Sequence, residues 1–146
     1  MNKAFLREPD LDGATYCPRC GSLGTPVGTA TMDAHCRPES RSRLQETAWF
    51  CPYQRCDVAY FNQLETVITV AELQQPIYPK DLDAPLCRCF GFTLDDLEAD
   101  LQEGTPTRIR ALLAKTQSPD ARCLTASPDG QCCLREIQRL YMKRRG

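Results

Sequence analysis

Hydrophobic and polar positions are arranged differently in the two halves of this sequence, and the difference predicts two kinds of structure. In the first half, short aromatic and β-branched runs lie between polar turns, at residues 47–50, 58–61 and 66–70. Runs of this length and composition are typical of β-strands. Because such short strands enclose only a small core, the first half is expected to need a metal to hold its shape.

The second half carries apolar residues at helical spacing. A capping box of Thr93 and Asp96 precedes a run that ends at Gly104. Within that run the residues that recur every three or four positions are Leu94, Leu97 and Leu101. The pattern therefore predicts a first amphipathic helix in this half.

Two more helices are predicted towards the end of the sequence. One starts at Thr105 and Pro106, because proline suits the first helical position. The other covers about residues 133–143, where a single stripe is apolar: Leu134, Ile137, Leu140 and Tyr141. The basic residues at the end of this last helix complement the negative end of its dipole.

Residues 74–85 separate the two patterns and contain three prolines. Proline disfavours helical geometry in the residue before it, so this stretch is predicted to be an extended linker. We therefore predict an α+β protein with a β module over residues 1–75 and a helical module over residues 76–146.

Composition narrows the class of protein. The chain has 146 residues, ten cysteines and a net charge of −1. Near-neutral charge argues against a nucleic-acid-binding surface, and no apolar run approaches the ~18 residues that a membrane span needs. Since no secretory signal is visible, we expect a cytoplasmic protein without membrane insertion. Thiols stay reduced in that compartment, so ten cysteines indicate metal ligands rather than disulfides.

Two pairs of cysteines in the first half have the spacing of a zinc site. Cys17 and Cys20 form a CxxC turn, which lets two thiolates face one ion from a single loop. Cys51 and Cys56 follow a predicted strand and would complete a tetrahedron of four sulfur ligands. A redox CxxC of the thioredoxin type is the alternative, but that motif expects a βαβ setting. We predict a structural Zn²⁺ held by these four cysteines.

His35 and Cys36 lie side by side between the two cysteine pairs, and His35 is the single histidine of the chain. The histidine could replace one cysteine as a ligand, or it could lie on the surface or just outside the ligand set. We favour the second interpretation and regard Cys36 as a spare thiol.

The second half contains five further cysteines. Cys87 and Cys89 form a CxC pair, and Cys123, Cys132 and Cys133 follow. Two irons bridged by two sulfides need four thiolates, which a CxC pair and two later cysteines can supply. A Rieske centre needs two histidines and is excluded, and the common ferredoxin runs C-x₄-C-x₂-C and C-x₂-C-x₂-C are absent. On spacing alone, a second zinc site stays open.

The combination of these motifs resembles two known kinds of domain. A CxC pair followed by a helical hairpin and Cys123 resembles the bacterioferritin-associated ferredoxin-like [2Fe–2S] domain. The two halves together resemble the N-terminal domain of CopZ-type copper chaperones, which pairs a zinc module with a [2Fe–2S] module. The matching pieces span about residues 16–141: Cys17-Pro18-x-Cys20, Phe50-Cys51, Cys56-x-Val58-x-Tyr60-Phe61, Cys87-x-Cys89 and Ser127-Pro128-x-Gly130-x-Cys132-Cys133.

The resemblance implies a small zinc-bound β module followed by a helical ferredoxin-like [2Fe–2S] module. It implies that the cluster ligands are Cys87, Cys89, Cys123 and Cys133. Cys133 is preferred to Cys132 because a helix starting at Cys133 places Ile137 and Leu140 where the simpler domains carry apolar residues. Cys132 would then be a neighbour or a swap ligand.

The function that the resemblance implies is electron transfer in copper handling, with Cu(II) reduced to Cu(I) for a carrier. Soft thiolate carriers select Cu(I), so a reducing partner is chemically sensible. The expected partners are a copper chaperone or copper transporter and an electron donor, and cupric reductase activity is the enzymatic form of the same role. The alternative is a redox- or metal-sensing adaptor whose cluster is structural or regulatory.

One difference from the CopZ type concerns the copper-carrying domain. A CopZ-type chaperone continues into a copper-carrying domain with an MxCxxC loop, whereas this sequence ends at Gly146 without one. The copper carrier is therefore expected to be a separate protein.

Overall fold

A four-stranded antiparallel sheet lies in the first half of the chain, and helices follow it. The structure is a computed structural model that describes residues 15–44 and 46–145. The strands follow one another in the sheet in the order in which they occur in the chain: β1 (Thr25–Val27), β2 (Ala48–Phe50), β3 (Val58–Phe61) and β4 (Val67–Thr69). The three predicted strands correspond to β2, β3 and β4, and β1 is an addition.

The two central strands are buried on both faces, and each face belongs to a different core. Successive side chains of a strand point to opposite sides of the sheet. On one side, the rings of Phe50 and Tyr60 lie 5.7 Å apart and join the larger core of this half. On the other side, Trp49 and Phe61 stack with centroids 6.4 Å apart, in the core that also contains three cysteines. The sheet thus separates a purely structural core from a metal-binding one.

The first half also contains helices, which the β prediction did not include. These are α1 (Thr29–His35), α2 (Pro38–Arg41) and a 3-10 helix (Val70–Glu72). Helix α1 has no side-chain cap and only seven residues, too few for a clear helical period. It is stabilised instead by tertiary packing, because Thr31, Met32 and His35 are buried.

Residues 74–85 form turns rather than the predicted extended linker, although they contain no helix or strand. Ile77 is 1% exposed and belongs to the core beneath the sheet, and the Tyr78–Pro79 peptide bond is cis. The prolines prevent regular structure, but the apolar side chains between them still bury surface. The boundary near residue 75 stays a prediction. We use "proximal half" for residues 15–75 and "distal half" for residues 76–145.

The distal half consists of helices packed around one apolar core. They are α3 (Leu94–Glu103), α4 (Thr107–Thr116), α5 (Cys123–Ala126) and α6 (Leu134–Arg145). The capping box of Thr93 and Asp96 is present, and Gly104 ends α3 in the left-handed conformation, with φ of 78°. Of the helices in this half, α5 was not predicted.

The start of α4 differs in detail from the prediction, because Pro106 precedes the helix rather than occupying its first turn. The side chain of Asp100, which is fully buried, accepts hydrogen bonds from the backbone N–H groups of Arg108 at 3.1 Å and Ile109 at 2.9 Å. A carboxylate from the preceding helix thus satisfies donors that a helix start leaves without partners.

Within residues 15–44 and 46–145, no helix has both the length and the apolar character that crossing a membrane requires.

Candidate metal centres

The four cysteines predicted to bind zinc lie on two tight loops, one of which connects the two central strands of the sheet. In the first loop, the N–H of Gly21 donates to the carbonyl of Cys17 at 2.9 Å, and Gly21 is left-handed, with φ of 78°. The second loop joins the antiparallel strands β2 and β3, so that Cys51 directly follows one strand and Cys56 precedes the other. Strand pairing therefore holds the second pair of thiols in place.

The four Sγ atoms lie within 4.8 Å of one another. The Sγ atoms of Cys17 and Cys56 are 3.9 Å apart, and those of Cys20 and Cys51 are 3.5 Å apart. Four sulfurs at about 2.3 Å from a tetrahedral zinc ion would be separated by about 3.8 Å. The residues present therefore fit a closed structural Zn²⁺ site with four thiolates and no open position.

The electrostatics of this four-cysteine site also point to a cation. Burial raises the pKa of Cys51 to about 12. Burial alone would raise the pKa of Cys20 as well, but hydrogen bonds with Ser22 outweigh it and lower that pKa to about 6. Four thiolates at such short range repel one another, so all four ionise together only when a metal ion is bound.

Lys80 supports the second loop from the distal half, which the sequence did not predict. Its Nζ donates to the carbonyl of Tyr53 at 2.7 Å and to that of Cys56 at 3.1 Å, and it lies 5.9 Å from the ring centroid of Phe50. A zinc ion with four thiolates carries a net negative charge, which a nearby ammonium group stabilises. No local sequence signal marks this lysine, because it is 24 residues from Cys56.

The distal cysteines are brought together from three chain segments. Cys87 and Phe92 exchange backbone hydrogen bonds, both at 3.1 Å, and Gly91 is left-handed, with φ of 72°. This small loop presents Cys87 and Cys89 just before α3. Cys123 is the first residue of α5, and Cys133 directly precedes α6, where its carbonyl accepts from the N–H of Ile137 at 3.0 Å.

The distal thiols lie close together across these segments. The Sγ atoms of Cys89 and Cys123 lie 4.0 Å apart, and Cys133 packs against the core that contains Cys87. The hydrogen bond with Cys133 lowers the pKa of Cys87 to about 6, and the same bond raises that of Cys133. Cys132 is exposed, whereas Cys133 is half-buried. The structure thus brings the four predicted cluster cysteines to one place.

The geometry of the distal group differs from that of the zinc site. Among the described residues, only Cys17, Cys20, Cys51 and Cys56 form a group of three or more candidate ligands that are all within 4.8 Å of one another. A single tetrahedral ion requires that mutual proximity, whereas a [2Fe–2S] cluster spreads four thiolates over two irons. In addition, the N–H of Arg122 donates to the Sγ of Cys89 at 3.3 Å, and hydrogen bonds of this kind stabilise cluster thiolates. The donor set therefore fits a [2Fe–2S] cluster.

His35 and Cys36 lie outside the four-cysteine site. His35 is buried at the end of α1, beside the backbone carbonyls of residues 125–127 and near Arg88. Cys36 is buried too, and burial raises the pKa of its thiol to about 11, so it stays protonated. His35 therefore has a place at the contact between α1 and α5 instead of in a metal site.

The burial of His35 predicts a pH dependence of stability. Burial and the positive charge of Arg88 lower the pKa of His35 below its usual 6.5, against the opposing effect of the carbonyls of residues 125–127. The stabilising effect is complete above about pH 6.5 and is lost as the pH falls, since the unfolded chain then binds a proton that the folded chain excludes. We expect the free energy of unfolding to decrease between pH 7.5 and 5.5.

The variant His35→Gln isolates this effect, because the chain has a single histidine. Its unfolding free energy should vary less steeply with pH, by up to the ~1.4 kcal/mol per pH unit that one proton contributes. Thiolate protonation affects both proteins equally and cancels in the comparison. Equal slopes, measured by urea unfolding at each pH, would contradict the assignment.

Comparison with known proteins accounts for the four-cysteine site. Residues 14–74 match the CopZ family model that is described as a zinc binding domain. All members of the four-cysteine site fall within the matched residues. Over these residues the chain is similar to the CopZ-type zinc binding domain.

The likeness extends beyond this zinc-binding domain into the helices. The chain is 28% identical, over 127 residues, to the copper chaperone CopZ of Archaeoglobus fulgidus, and the alignment covers 85% of this chain and 60% of that protein. This chain therefore spans less than two thirds of the relative's length. The X-ray structure of the N-terminal domain of A. fulgidus CopZ superposes with a TM-score of 0.72 at 25% identity, covering 86% of this chain and 97% of that one.

Proposed function

We propose that this protein is a [2Fe–2S] electron-transfer protein with a structural zinc, and that it serves copper handling by reducing Cu(II) to Cu(I). The observation that supports the cluster best is that thiols from three chain segments lie together: the Sγ atoms of Cys89 and Cys123 are 4.0 Å apart, and Cys89 and Cys133 pack against the core that contains Cys87. The similarity to a copper chaperone supports the choice of copper as the substrate.

In this proposal the two groups of cysteines have different roles. Four thiolates hold the cluster at the junction of three segments: Cys87, Cys89, Cys123 and Cys133. A bound [2Fe–2S] cluster supplies reversible one-electron transfer. One electron from an external donor then converts one Cu²⁺ to Cu⁺, which a thiolate-rich copper chaperone or transporter accepts. The zinc-binding domain takes no part in the redox step, because zinc has no redox chemistry.

Metal analysis of anaerobically purified protein tests the first part of the proposal. We expect one zinc, two irons and two acid-labile sulfides per chain, and a paramagnetic signal after reduction with dithionite. The matched control is the variant Cys36→Ser, which removes a thiol outside both sites. A protein that contains only zinc, or two zinc ions, would contradict the proposal.

Addition of Cu(II) to the reduced protein tests the second part. The visible absorbance of the oxidised cluster should return as Cu(I) forms, with one Cu(I) per cluster, measured with a Cu(I)-specific chromophoric chelator. A cluster that is stable to reduction but transfers no electron to Cu(II) would contradict the copper assignment. A cluster that disintegrates on reduction would favour the redox-sensing adaptor instead.

A further inference from the structure

Tyr60 connects the zinc-binding domain with the segment that carries the last cluster cysteines. It lies in β3, is 0% exposed, and is the register partner of Phe50 in β2. Its hydroxyl donates a hydrogen bond to the carbonyl of Pro128 at 2.5 Å, across 68 residues of sequence. A buried polar group of this kind is costly to leave without its partner.

The strand pair that carries Tyr60 is part of the zinc site. Phe50 directly precedes Cys51, and β3 begins two residues after Cys56, so the loop between the strands holds two of the four zinc thiols. The Phe50 and Tyr60 rings contact each other across the pair. Zinc binding therefore fixes the strands, and the strands fix the position of the Tyr60 hydroxyl.

Pro128 lies in a tight turn of residues 127–131 that leads directly to Cys132 and Cys133. In this turn the carboxylate of Asp129 accepts from the Ser127 hydroxyl at 2.7 Å and from the N–H of Gln131 at 3.0 Å. Gly130 is left-handed, with φ of 72°. Hydrogen bonds that Asp129 makes within the turn, and the hydrogen bond from Tyr60 in the sheet, thus stabilise the turn.

A second contact from the proximal half holds the beginning of the same segment. The hydroxyl of Thr31 in α1 donates to the carbonyl of Leu124 at 2.5 Å, one residue after Cys123. Between Leu124 and α6, the segment contains only the single turn of α5 and the turn at Pro128. Contacts made by the proximal half therefore set where this segment lies.

We infer that Tyr60 is a positioning residue, whose hydrogen bond to Pro128 holds the cysteine turn so that Cys133 packs against the core that contains Cys87. The inference rests on the proposed function for the identity of the bound group, but it concerns the placement of Cys133 in this chain. It gives the zinc-binding domain a specific role, which is to place a ligand of the neighbouring site.

Alkylation of the zinc-loaded, iron-free chain tests the placement without any cluster. Iodoacetamide should modify Cys133 at least threefold faster in Tyr60→Phe than in the wild type, as measured by peptide mass spectrometry. The matched control is Tyr141→Phe, because Tyr141 is also buried but its hydroxyl makes no hydrogen bond to another group of the described chain. An unchanged rate in Tyr60→Phe would overturn the inference.

Cluster release from the reconstituted chain provides the second measurement. An iron chelator should remove the iron from Tyr60→Phe at least threefold faster than from the wild type or Tyr141→Phe, while the zinc content stays the same. If Tyr60→Phe and the wild type release iron at the same rate and are alkylated at the same rate, the role of Tyr60 is refuted and the proposed function is unaffected. Faster alkylation in a chain whose wild type takes up no iron would refute the proposed function and leave the role of Tyr60 intact.

The variant Asp129→Ala provides an independent test of the turn in case Tyr60→Phe loses zinc. This substitution removes the hydrogen bonds that Asp129 makes within the same turn. Because Asp129 is partly exposed and lies outside the sheet, the fold of the sheet should not change. The same acceleration of Cys133 alkylation is expected. A turn that loses the Asp129 contacts without any change in Cys133 reactivity would show that the order of the turn does not position the thiol.

Discussion

The variant Cys51→Ala is expected to lose zinc and to unfold the proximal half. The sheet of this half has strands of three or four residues, and Cys51 is fully buried between the strands and the opposite loop. Structural zinc contributes about 10–16 kcal/mol of apparent binding free energy in zinc-finger peptides, and that energy stabilises the fold. Removal of one ligand should therefore lower the free energy of unfolding by several kcal/mol.

Trp49 provides a direct measurement of this effect. It is the single tryptophan of the chain, and its ring packs in the core that contains Cys17, Cys51 and Cys56. Its fluorescence should shift to longer wavelength in Cys51→Ala, together with the loss of zinc detected by elemental analysis. The same changes should follow zinc removal from the wild type by a strong chelator at neutral pH.

The control for this prediction is Cys36→Ala. Cys36 is 1% exposed and Cys51 is 0% exposed, so both variants remove a similar buried sulfur. Cys36 lies outside the four-cysteine group, and its replacement should cost only the ~1 kcal/mol of a small cavity. Retention of stoichiometric zinc by Cys51→Ala, or loss of zinc from Cys36→Ala, would show that the ligand set is different.

The variant Cys133→Ser is expected to lose the cluster, whereas Cys132→Ser should keep it. Cys133 is half-buried and packs against the core that contains Cys87, while Cys132 is exposed. Serine oxygen is a harder and weaker ligand for these irons than cysteine sulfur. Iron and sulfide should fall below half of the wild-type content in Cys133→Ser, with zinc unchanged.

Cys132 directly precedes Cys133 and could replace it as a ligand, so the double variant is the complete knockout. Measurements of iron, sulfide and visible absorbance on the two single variants and the double variant identify the fourth ligand. If Cys132→Ser loses the cluster and Cys133→Ser keeps it, then Cys132 is the ligand and the assignment of Cys133 is wrong.

Local interactions account for the parts of this fold that were predictable. The capping box of Thr93 and Asp96 and the left-handed Gly104 bound α3 as expected, because each acts within four residues of the chain. The strands β2 and β3 were recognisable from their aromatic and β-branched residues. Helix α1 and helix α5 were not, since they have only seven and four residues and their contact with each other, through Thr31 and Leu124, joins distant parts of the sequence.

The order of cysteines along the chain by itself determined two pairs suited to zinc, with Cys36 between them, and five further thiols for which a cluster is a prediction. Spacing within a loop limits which thiols can share an ion, and that limit is visible in the sequence. Only the tertiary structure decided that Cys89 faces Cys123, that Lys80 supports the zinc loop, and that the Tyr60 hydroxyl meets Pro128. These contacts join residues 24 to 68 positions apart, and the packing of the two halves determines which residues meet, which no local pattern encodes.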